Sequence, residues 1–357
     1  MALLTCIIAL LCLWEFQVSS SCLHNGKASL AVTIESSIPE VSNDLSSEPS
    51  PHQGDLKDVR FLLWTRSNSG DDDYYQLLPD NMTNLVESNF NPFLQTHFMY
   101  HGFNDYGLNS WIRHAKTALL SLYDCNVISV DWQTLVPSPW YNFGVENAYR
   151  VGNYTANYID WLNAQTSHDP SQIHIVGHSL GAQAAGLTGH YVTTGQIDRV
   201  TGLDPAGPFF YDKDPDQRLD KTSGSFVDVI HTNSGSIPEG CIAMIKDIGH
   251  VDFYPDGGHH QPGCDDGHTV VDDWLDLFEG CSHHRAVLVW VESILALSPE
   301  MSFTGWPCND WDTFANGSCP DCGDGCLEMG FHVERGLTGV YYLRTNAESP
   351  FARGNQQ

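Results

Sequence analysis

Short apolar runs alternate along the chain with longer stretches in which apolar residues recur every three or four positions. The short runs are rich in β-branched residues, as strands buried on both faces of a sheet are. They are VRFLLW (59–64), HFMY (97–100), NVISV (126–130), IHIV (173–176), RVTGL (199–203) and FVDVI (226–230). Helical periodicity covers 111–123 and 145–163. Strands that alternate with helices predict an α/β fold class with a mostly parallel sheet.

The N-terminal region departs from this pattern. Residues 2–14 are apolar, but this run is too short to span a bilayer, which takes about 20 residues. Residues 1–20 are predicted to be a signal peptide, although it lacks the usual basic residue; a buried N-terminal helix is the alternative. Residues 35–57 are rich in Ser, Pro, Glu and Asp, and we expect residues 21–57 to form a flexible leader or propeptide. We expect residues 58–357 to form one domain.

The charge balance narrows the functional classes. The 357 residues include 44 acidic and 16 basic side chains, which gives a formal net charge of −28. So acidic a chain lacks the basic surface that nucleic acids need, and its field repels anionic membranes. No later stretch is apolar enough to form a transmembrane segment, so we expect a soluble, extracellular protein.

Cysteine usage supports export. Nine of the 11 cysteines lie outside the predicted signal peptide, and six of them follow residue 260. Disulfides are the expected state of such cysteines in an oxidising compartment. The spacing Cys319-x-x-Cys322 also occurs in zinc and redox sites, but its Gly- and Asp-rich surroundings favour disulfides. Sequons at Asn81, Asn153 and Asn316 lie in polar, loop-like contexts, which predicts glycosylation there.

One serine carries the strongest chemical signal. Gly177-His178-Ser179-Leu180-Gly181 has the G-x-S-x-G form and joins an apolar strand to a helix of small residues. At such a turn the serine adopts a strained backbone conformation, and the flanking glycines let neighbouring backbone pass closely. The turn exposes Oγ at the carboxyl edge of the sheet, as a nucleophile requires. A plain structural turn is the alternative.

A serine nucleophile needs a base and an acid that orients the base. On this type of sheet the acid follows the serine, and Asp204 ends the strand RVTGL. Asp228 and Asp252 compete with it. The residues alone do not select the base from the histidines downstream of Asp204. The candidates considered are His231, His250, His259, His260, His268, His283 and His284.

Eight segments, in order along the chain, resemble the pancreatic lipase family of secreted animal lipases and their phospholipase A1 relatives. They are HFMYHGF, GHSLGAQAAG, TGLDPAGP, RLD, FVDVIHTN, GHVDFYPDGG, QPGC and CSHHRAV. The similarity extends from about residue 59 to about residue 351. It implies an α/β-hydrolase fold, with a central mostly parallel sheet and a nucleophile elbow, that hydrolyses carboxylic esters of lipids.

The resemblance also implies roles for particular residues. Ser179 would be the nucleophile, Asp204 the acid and His283 the base, with the neighbouring His284 still to be excluded. The oxyanion donors would be two backbone N–H groups, those of Phe103 and Leu180. The implied disulfides are Cys264–Cys281, Cys308–Cys319 and Cys322–Cys326. At most one further pair then remains among Cys22, Cys125 and Cys241.

The chain departs from the family at its calcium loop. Arg218, through its carbonyl, and Asp220 match the loop, whereas Pro215 and Ser223 replace a glutamate and a second aspartate. Calcium binds several oxygens, so the loss of a carboxylate weakens the site. We expect no required cofactor. A structural calcium and an ordinary loop tied by an Arg–Asp pair both stay open.

Residues 264–281 correspond to the family's lid and are named the lid segment here; a cysteine-rich segment, 308–326, follows. Apolar residues at i, i+3, i+4 and i+7 of the lid segment predict one apolar helix face. They are Val271, Trp274, Leu275 and Phe278. A core-facing helix is the alternative to a lid over the site. The short lid favours phospholipase activity, whereas the near full-length loop 233–248 favours triacylglycerol activity.

The main hypothesis is a secreted serine lipase that hydrolyses acylglycerols, and phospholipids as a second class, at a lipid interface through an acyl-enzyme. A phospholipase A1 with the same triad is the first alternative. The second is a non-catalytic lipid-binding or yolk-type protein, against which the intact Ser179, Asp204 and His283 argue. The C-terminal β-sandwich that docks colipase in the family is absent from this sequence, so colipase is not an expected partner.

Overall fold

The structure is a computed structural model that describes residues 54–265, 274–319, 322 and 325–355. The predicted signal peptide and nearly all of the predicted leader therefore lie outside the described residues. The described chain begins four residues before the predicted domain start, and Leu56 packs against the core. Within the described ranges, no helix is long and apolar enough to cross a membrane.

A mostly parallel sheet organises the described residues. Its strands are β1 (Arg60–Trp64), β2 (Tyr75–Leu77), β3 (Thr96–Tyr100), β4 (Asn126–Asp131), β5 (Ile173–His178), β6 (Arg199–Leu203), β7 (Phe226–Ile230), β8 (Val251–Pro255), β9 (Thr304–Pro307), β10 (Leu327–Glu328) and β11 (Gly339–Leu343). The spatial order is β10-β9-β11-β8-β7-β6-β5-β3-β4-β1-β2. Neighbours from β4 to β11 pair in parallel, while β1, β2, β9 and β10 pair antiparallel at the two ends.

Helices cover both faces of this sheet. They are α1 (Met82–Glu87), α2 (Ser110–Leu122), α3 (Tyr141–Thr166), α4 (Leu180–Tyr191), α5 (Cys281–Ile294) and α6 (Trp311–Ala315). Strand side chains alternate between two buried clusters: Phe98 joins the cluster under α3 and α4, and Met99 the cluster under α2 and α5. This two-residue period is that of a strand buried on both faces.

The six predicted strands and both predicted helices are confirmed, with ends shifted by a few residues. The chain has the α/β-hydrolase fold, as expected. Sequence reasoning did not identify β2, β8 or the strands after β8. Among these, β2, β9 and β10 have four residues or fewer, so their periodicity is too short to read.

Strand register brings the two candidate catalytic segments together. In the β5–β6 pair, Gly177 lies opposite Gly202 and His178 opposite Leu203. The next residues, Ser179 and Asp204, therefore lie side by side at the carboxyl edge of the sheet. The Ser179 N–H donates to the Leu203 carbonyl at 2.9 Å, which fixes this arrangement.

The structure contains disulfides Cys264–Cys281, Cys308–Cys319 and Cys322–Cys326, with Cα–Cα separations of 5.5, 5.5 and 5.0 Å. These are the three pairs that the family resemblance implied. Cys125 and Cys241 are buried and take part in none of them. Cys22 lies outside the described residues.

The three sequon asparagines are exposed. Asn81 is the N-cap of α1 and Asn316 the C-cap of α6, so both lie at helix ends. The predicted loop context is wrong for Asn153, which lies in the middle of α3 with its side chain on the solvent face. Glycosylation at the three positions stays a prediction.

Candidate active site

Ser179 lies at a sharp turn between β5 and α4. Its backbone has φ 58° and ψ −124°, a conformation that costs a non-glycine residue about 1–3 kcal/mol. The Ser179 carbonyl accepts from Ala182 N–H at 3.0 Å and from Ala206 N–H at 3.1 Å, which helps to hold this geometry. A Cβ at Gly181 would lie 2.3 Å from the His101 carbonyl oxygen. Glycine is therefore required there, as the elbow interpretation predicts.

Asp204 is fully buried immediately after β6. Its Oδ1 accepts from the N–H groups of Thr232 and Asn233 at 2.7 and 2.9 Å, and its Oδ2 lies 2.7 Å from His283 Nδ1. Burial raises the pKa of Asp204 from 3.8 to about 7, and the two backbone donors partly offset this effect. The carboxylate is thus poised to ionise near neutral pH, with one oxygen kept for the imidazole.

The structure pairs His283, and not His284, with Asp204. His283 is the third residue of α5 and is fully buried. When its Nδ1–H donates to the carboxylate, Nε2 is the nitrogen that can accept a proton. His284 is half-buried, and its Nδ1 donates to the Gly280 carbonyl at 3.2 Å. Of these two neighbouring histidines, His283 is therefore the one that contacts Asp204 in the described part of the chain.

His178, next to the serine, supports this arrangement. Its ring centroid lies 4.6 Å from that of His283, and its Nε2 donates to the His283 carbonyl at 3.2 Å. Burial holds the pKa of His178 well below its usual range, so this ring stays neutral beside the candidate base. The position of His178 inside the G-x-S-x-G motif does not predict its contacts with α5, so the sequence gives no signal for this role.

The two competing aspartates have other partners. Asp228 receives Arg199 Nε and Nη2 at 2.8 and 2.9 Å. Asp252 pairs with His231 Nε2 at 2.8 Å. Both pairs are buried, and neither aspartate contacts His283 through a hydrogen bond in the described part of the chain.

The two expected oxyanion donors lie beside Ser179. Leu180 is the first residue of α4, and Phe103 follows β3; neither backbone N–H donates to an acceptor among the described residues. Available N–H groups at a helix N-terminus suit a developing negative charge. Two hydrogen bonds from Trp132 to His101 hold the loop that carries Phe103. The Trp132 backbone N–H donates to His101 Nε2 at 3.0 Å, and Trp132 Nε1 donates to the His101 carbonyl at 3.1 Å. Sequence reasoning did not identify this brace.

A cavity of about 270 Å³ opens at the serine. Its lining includes Gly102, Phe103, Ser179, Phe278, Glu279 and His284. The Phe278 ring lies 5.3 Å from Phe103 and 4.8 Å from Tyr141, between ring centroids. The end of the lid segment therefore covers an apolar wall beside the nucleophile.

The predicted helical face of the lid segment is only partly right. Trp274–Glu279 is a 3₁₀ helix and not an α-helix, and Val271 lies outside the described residues. Phe278 is buried and Leu275 half-buried, but Leu277, which the 3.6-residue period places elsewhere, is buried too. Asn104 Nδ2 donates to Glu279 Oε1 at 2.9 Å and joins the segment to the oxyanion loop.

The candidate calcium residues do not form a site that fits the ion. The Arg218 carbonyl accepts from His190 Nε2 at 3.0 Å. Asp220 Oδ1 accepts from Thr222 N–H at 3.2 Å, and Arg218 Nη1 lies 3.5 Å from Asp220 Oδ2. The positive charge of the Arg218 guanidinium beside this carboxylate repels a second cation. Calcium also needs several converging oxygens, and Asp220 supplies the only carboxylate of the two candidate residues. Calcium binding stays an untested prediction and enters no step of the chemistry.

Comparisons with known proteins agree with this geometry. The chain matches the family model described as Lipase over residues 29–351. Pancreatic triacylglycerol lipase of Sus scrofa is 36% identical over 313 residues, which cover 83% of this chain and 67% of the relative. Pancreatic lipase-related protein 2 of Cavia porcellus is 36% identical over 304 residues, covering 83% and 66%. The chain thus spans about two thirds of the length of these relatives.

Among solved structures, an alpha/beta hydrolase enzyme named MGS-M1, from a Medee basin deep-sea metagenome library, aligns with a TM-score of 0.28 at 18% identity. The alignment covers 45% of this chain and 63% of that structure.

Proposed function

This chain belongs to the lipase family and is a carboxylic ester hydrolase, and we propose that it hydrolyses acylglycerols at a lipid surface through an acyl-enzyme on Ser179. One observation carries the proposal: a serine on a strained elbow lies beside a buried His283–Asp204 pair and opens to a cavity with an apolar wall. These are the groups that acyl transfer to a hydroxyl needs.

In the first step, Ser179 Oγ attacks the ester carbonyl carbon while His283 Nε2 takes the hydroxyl proton. Asp204 orients the imidazole and stabilises the imidazolium that forms. The Phe103 and Leu180 N–H groups donate to the tetrahedral oxyanion, and each such donor contributes about 3–4 kcal/mol in enzymes of this type.

Collapse of this intermediate breaks the ester C–O bond. His283 gives its proton to the leaving alcohol, and the acyl group stays on Ser179. A water molecule, deprotonated by His283, then attacks the acyl carbon. Collapse of this second intermediate breaks the bond between the acyl carbon and Ser179 Oγ, His283 returns the proton to Oγ, and the fatty acid is released. Every proton in this cycle moves through side chains of the chain itself, so no cofactor is required.

Exposed apolar side chains near the site support a lipid surface as the place of action. Phe209 is 60% exposed, and Trp140, which precedes Tyr141 in the chain, is 45% exposed. Phe209 contacts Tyr141, at 6.0 Å between ring centroids, and Tyr141 in turn contacts Phe278. Each such side chain gains roughly 1.5–3 kcal/mol when it leaves water completely. A lipid surface that buries Phe209 would therefore lie beside the aromatic contacts of Phe278, which lines the cavity.

The remaining parts of the proposal concern location and substrate. Secretion is supported by three disulfides, which persist in oxidising compartments. One of the two relatives described above is named as a triacylglycerol lipase and the other as a lipase-related protein. These names favour acylglycerols as the substrate class. Phospholipid hydrolysis remains the alternative outcome of the assay.

Purified protein assayed on emulsified triacylglycerol and on phosphatidylcholine vesicles tests the substrate proposal, with Ser179→Ala as the blank. Faster turnover of triacylglycerol supports it. Faster turnover of phosphatidylcholine would replace it with the phospholipase A1 alternative. Turnover of neither, at rates above Ser179→Ala, would favour a non-catalytic lipid-binding protein.

A further inference from the structure

One buried histidine lies beside the expected oxyanion hole and takes no part in the proton transfers of the proposed hydrolysis. His101 directly follows β3, and its side chain is fully buried. Its ring Nδ1 lies 2.9 Å from the carbonyl oxygen of Gly102, the next residue in the chain. That carbonyl belongs to the same peptide group as the Phe103 N–H, which is one of the two expected oxyanion donors. The ring therefore contacts the peptide group that supplies this donor.

Two neighbours of the ring determine which nitrogen carries the hydrogen. The Trp132 backbone N–H donates to His101 Nε2 at 3.0 Å, so Nε2 must present its lone pair, and a neutral imidazole then has its hydrogen on Nδ1. The Gly102 carbonyl agrees, because an oxygen that lies 2.9 Å from Nδ1 can only accept. Asp131 Oδ1 lies farther from Nε2, at 3.4 Å, and accepts the Gly107 N–H at 3.0 Å. The contacts therefore select the tautomer with the hydrogen on Nδ1.

We propose that His101 is a positioning residue of the oxyanion hole, whose Nδ1–H holds the Gly102 carbonyl and so aims the Phe103 N–H at the reacting ester. This inference rests on the proposed acyl transfer to Ser179. The peptide bond between Gly102 and Phe103 is trans, so its carbonyl and its N–H point in opposite directions. A carbonyl that is tied to the His101 ring therefore turns the Phe103 N–H away from that ring.

This peptide group lies against the nucleophile. A Cβ at Gly102 would lie 3.0 Å from Ser179 Cβ, so the loop that carries Phe103 approaches the elbow closely. Gly102, Phe103 and Ser179 line the same cavity, and the Phe103 N–H donates to no acceptor among the described residues. A donor that is held in place before the reaction stabilises an oxyanion without reorganisation at the moment of attack.

Two amide replacements of His101 separate the roles of its ring nitrogens. The amide nitrogen of asparagine falls close to the place of Nδ1, whereas that of glutamine falls close to the place of Nε2. His101→Asn can therefore still donate to the Gly102 carbonyl, and His101→Gln cannot. We expect kcat on a dissolved ester to fall on the order of 10²-fold in His101→Gln with KM nearly unchanged, and to fall less than about tenfold in His101→Asn.

A thionoester, in which sulfur replaces the carbonyl oxygen, gives a readout that a loss of stability does not imitate. Sulfur is a weak hydrogen-bond acceptor, so the tetrahedral intermediate of a thionoester gains little from the oxyanion donors. In His101→Gln we expect the ratio of kcat/KM on the oxygen ester to kcat/KM on the thionoester to fall on the order of 10²-fold. A partly unfolded variant would lower both rates equally and leave this ratio unchanged.

His168 provides the matched control. It is fully buried too, and its Nδ1 donates to the Pro92 carbonyl at 2.9 Å, but it precedes β5, whereas Ser179 follows that strand. His168→Gln should therefore keep the ester ratio of the unchanged chain. Full activity in Ser179→Ala would contradict acyl transfer to Ser179 itself. An inactive Ser179→Ala, together with an unchanged ester ratio in His101→Gln, would overturn only the role of His101.

The hydrogen on His101 Nδ1 can also be observed directly in the unchanged chain. ¹⁵N NMR of the full chain, labelled at histidine, distinguishes a ring nitrogen that carries a hydrogen from one that presents a lone pair. His101→Asn identifies the signals of this ring, because they disappear in that variant. We expect Nδ1 to carry the hydrogen and Nε2 to present the lone pair. A lone pair on Nδ1 would overturn the proposal.

Discussion

Two buried histidine–aspartate pairs occur among the described residues, and only one borders Ser179, the proposed nucleophile. His283 lies 2.7 Å from Asp204, and His231 lies 2.8 Å from Asp252. Both rings are fully buried. Each carboxylate also accepts two backbone N–H groups, from residues 232 and 233 in one pair and from residues 248 and 249 in the other. By distance, burial and donors, the pairs are near copies.

The two pairs differ in the surroundings of the ring nitrogen that does not face the aspartate. His231 Nδ1 faces Ser234 Oγ at 3.1 Å, and its ring stacks on Tyr254 with centroids 4.4 Å apart. Ser234 has no elbow conformation and does not line the cavity at Ser179. His283 contacts Phe278 of the cavity wall and the neighbour of the elbow serine. A catalytic pair is therefore recognised by the strained serine and the cavity beside it, and not by histidine–aspartate geometry.

Removal of each histidine gives the largest contrast. His283→Ala should lower kcat on the order of 10⁵-fold, because the hydroxyl then has no base. His231→Ala should keep kcat within a few-fold but lose about 3–5 kcal/mol of stability, since it leaves buried Asp252 without its partner. Steady-state kinetics and urea unfolding measure both effects. The exchange of these two phenotypes would mean that the pairs have been assigned the wrong way round.

Amide replacement of each aspartate comes next in size. Asp204→Asn should lower kcat about 10⁴-fold, because the amide favours the wrong imidazole tautomer. Its stability should be kept, since both backbone donors bind Oδ1 and the amide nitrogen can take the place of Oδ2.

Asp252 offers the matched control. Its backbone donors bind different oxygens, Ile248 N–H on Oδ1 and Gly249 N–H on Oδ2. In Asp252→Asn the amide nitrogen must therefore face an N–H group, and Tm should fall by several degrees while kcat stays nearly unchanged. Equal Tm values for the two variants would contradict this account of the carboxylates.

The residues of the site that directly follow a strand could be predicted from the sequence. The runs IHIV and RVTGL have the pattern of buried strands, and this pattern alone places Ser179 and Asp204 at one edge of the sheet. The base could not be chosen from residues alone, because eight histidines follow Asp204 and α5 reaches it only through tertiary packing. In the lid segment, the 3.6-residue period predicted an α-helix, whereas its described part, Trp274–Glu279, forms a 3₁₀ helix.

The acidity of the medium tests the electrostatics of the active pair. Burial raises the pKa of Asp204 to about 7, so the Asp204–His283 pair takes up a proton as pH drops through that value and can then no longer accept the Ser179 hydroxyl proton. We expect kcat/KM to fall about tenfold per pH unit below that value. A profile that stays flat from pH 8 to pH 5 would show that Asp204 remains ionised throughout.

The smallest expected effect concerns the wall of the cavity. Phe278→Ser removes the ring that packs on Phe103 and Tyr141. We expect it to lower, several-fold, the ratio of the rate on emulsified ester to the rate on dissolved short-chain ester. Leu288→Ser, at an exposed apolar residue of α5, is the matched control. An unchanged rate ratio in Phe278→Ser would show that the lid segment does not gate the site.

The central claim is that Ser179 becomes acylated, and covalent labelling tests it most directly. The chain is treated with a serine-directed organophosphate, and the modified peptide is identified by mass spectrometry while residual esterase activity is followed. We predict one label per chain on Ser179, none on Ser234, and loss of activity in proportion to labelling. A label on Ser234, or full hydrolytic activity in Ser179→Ala, would contradict the account.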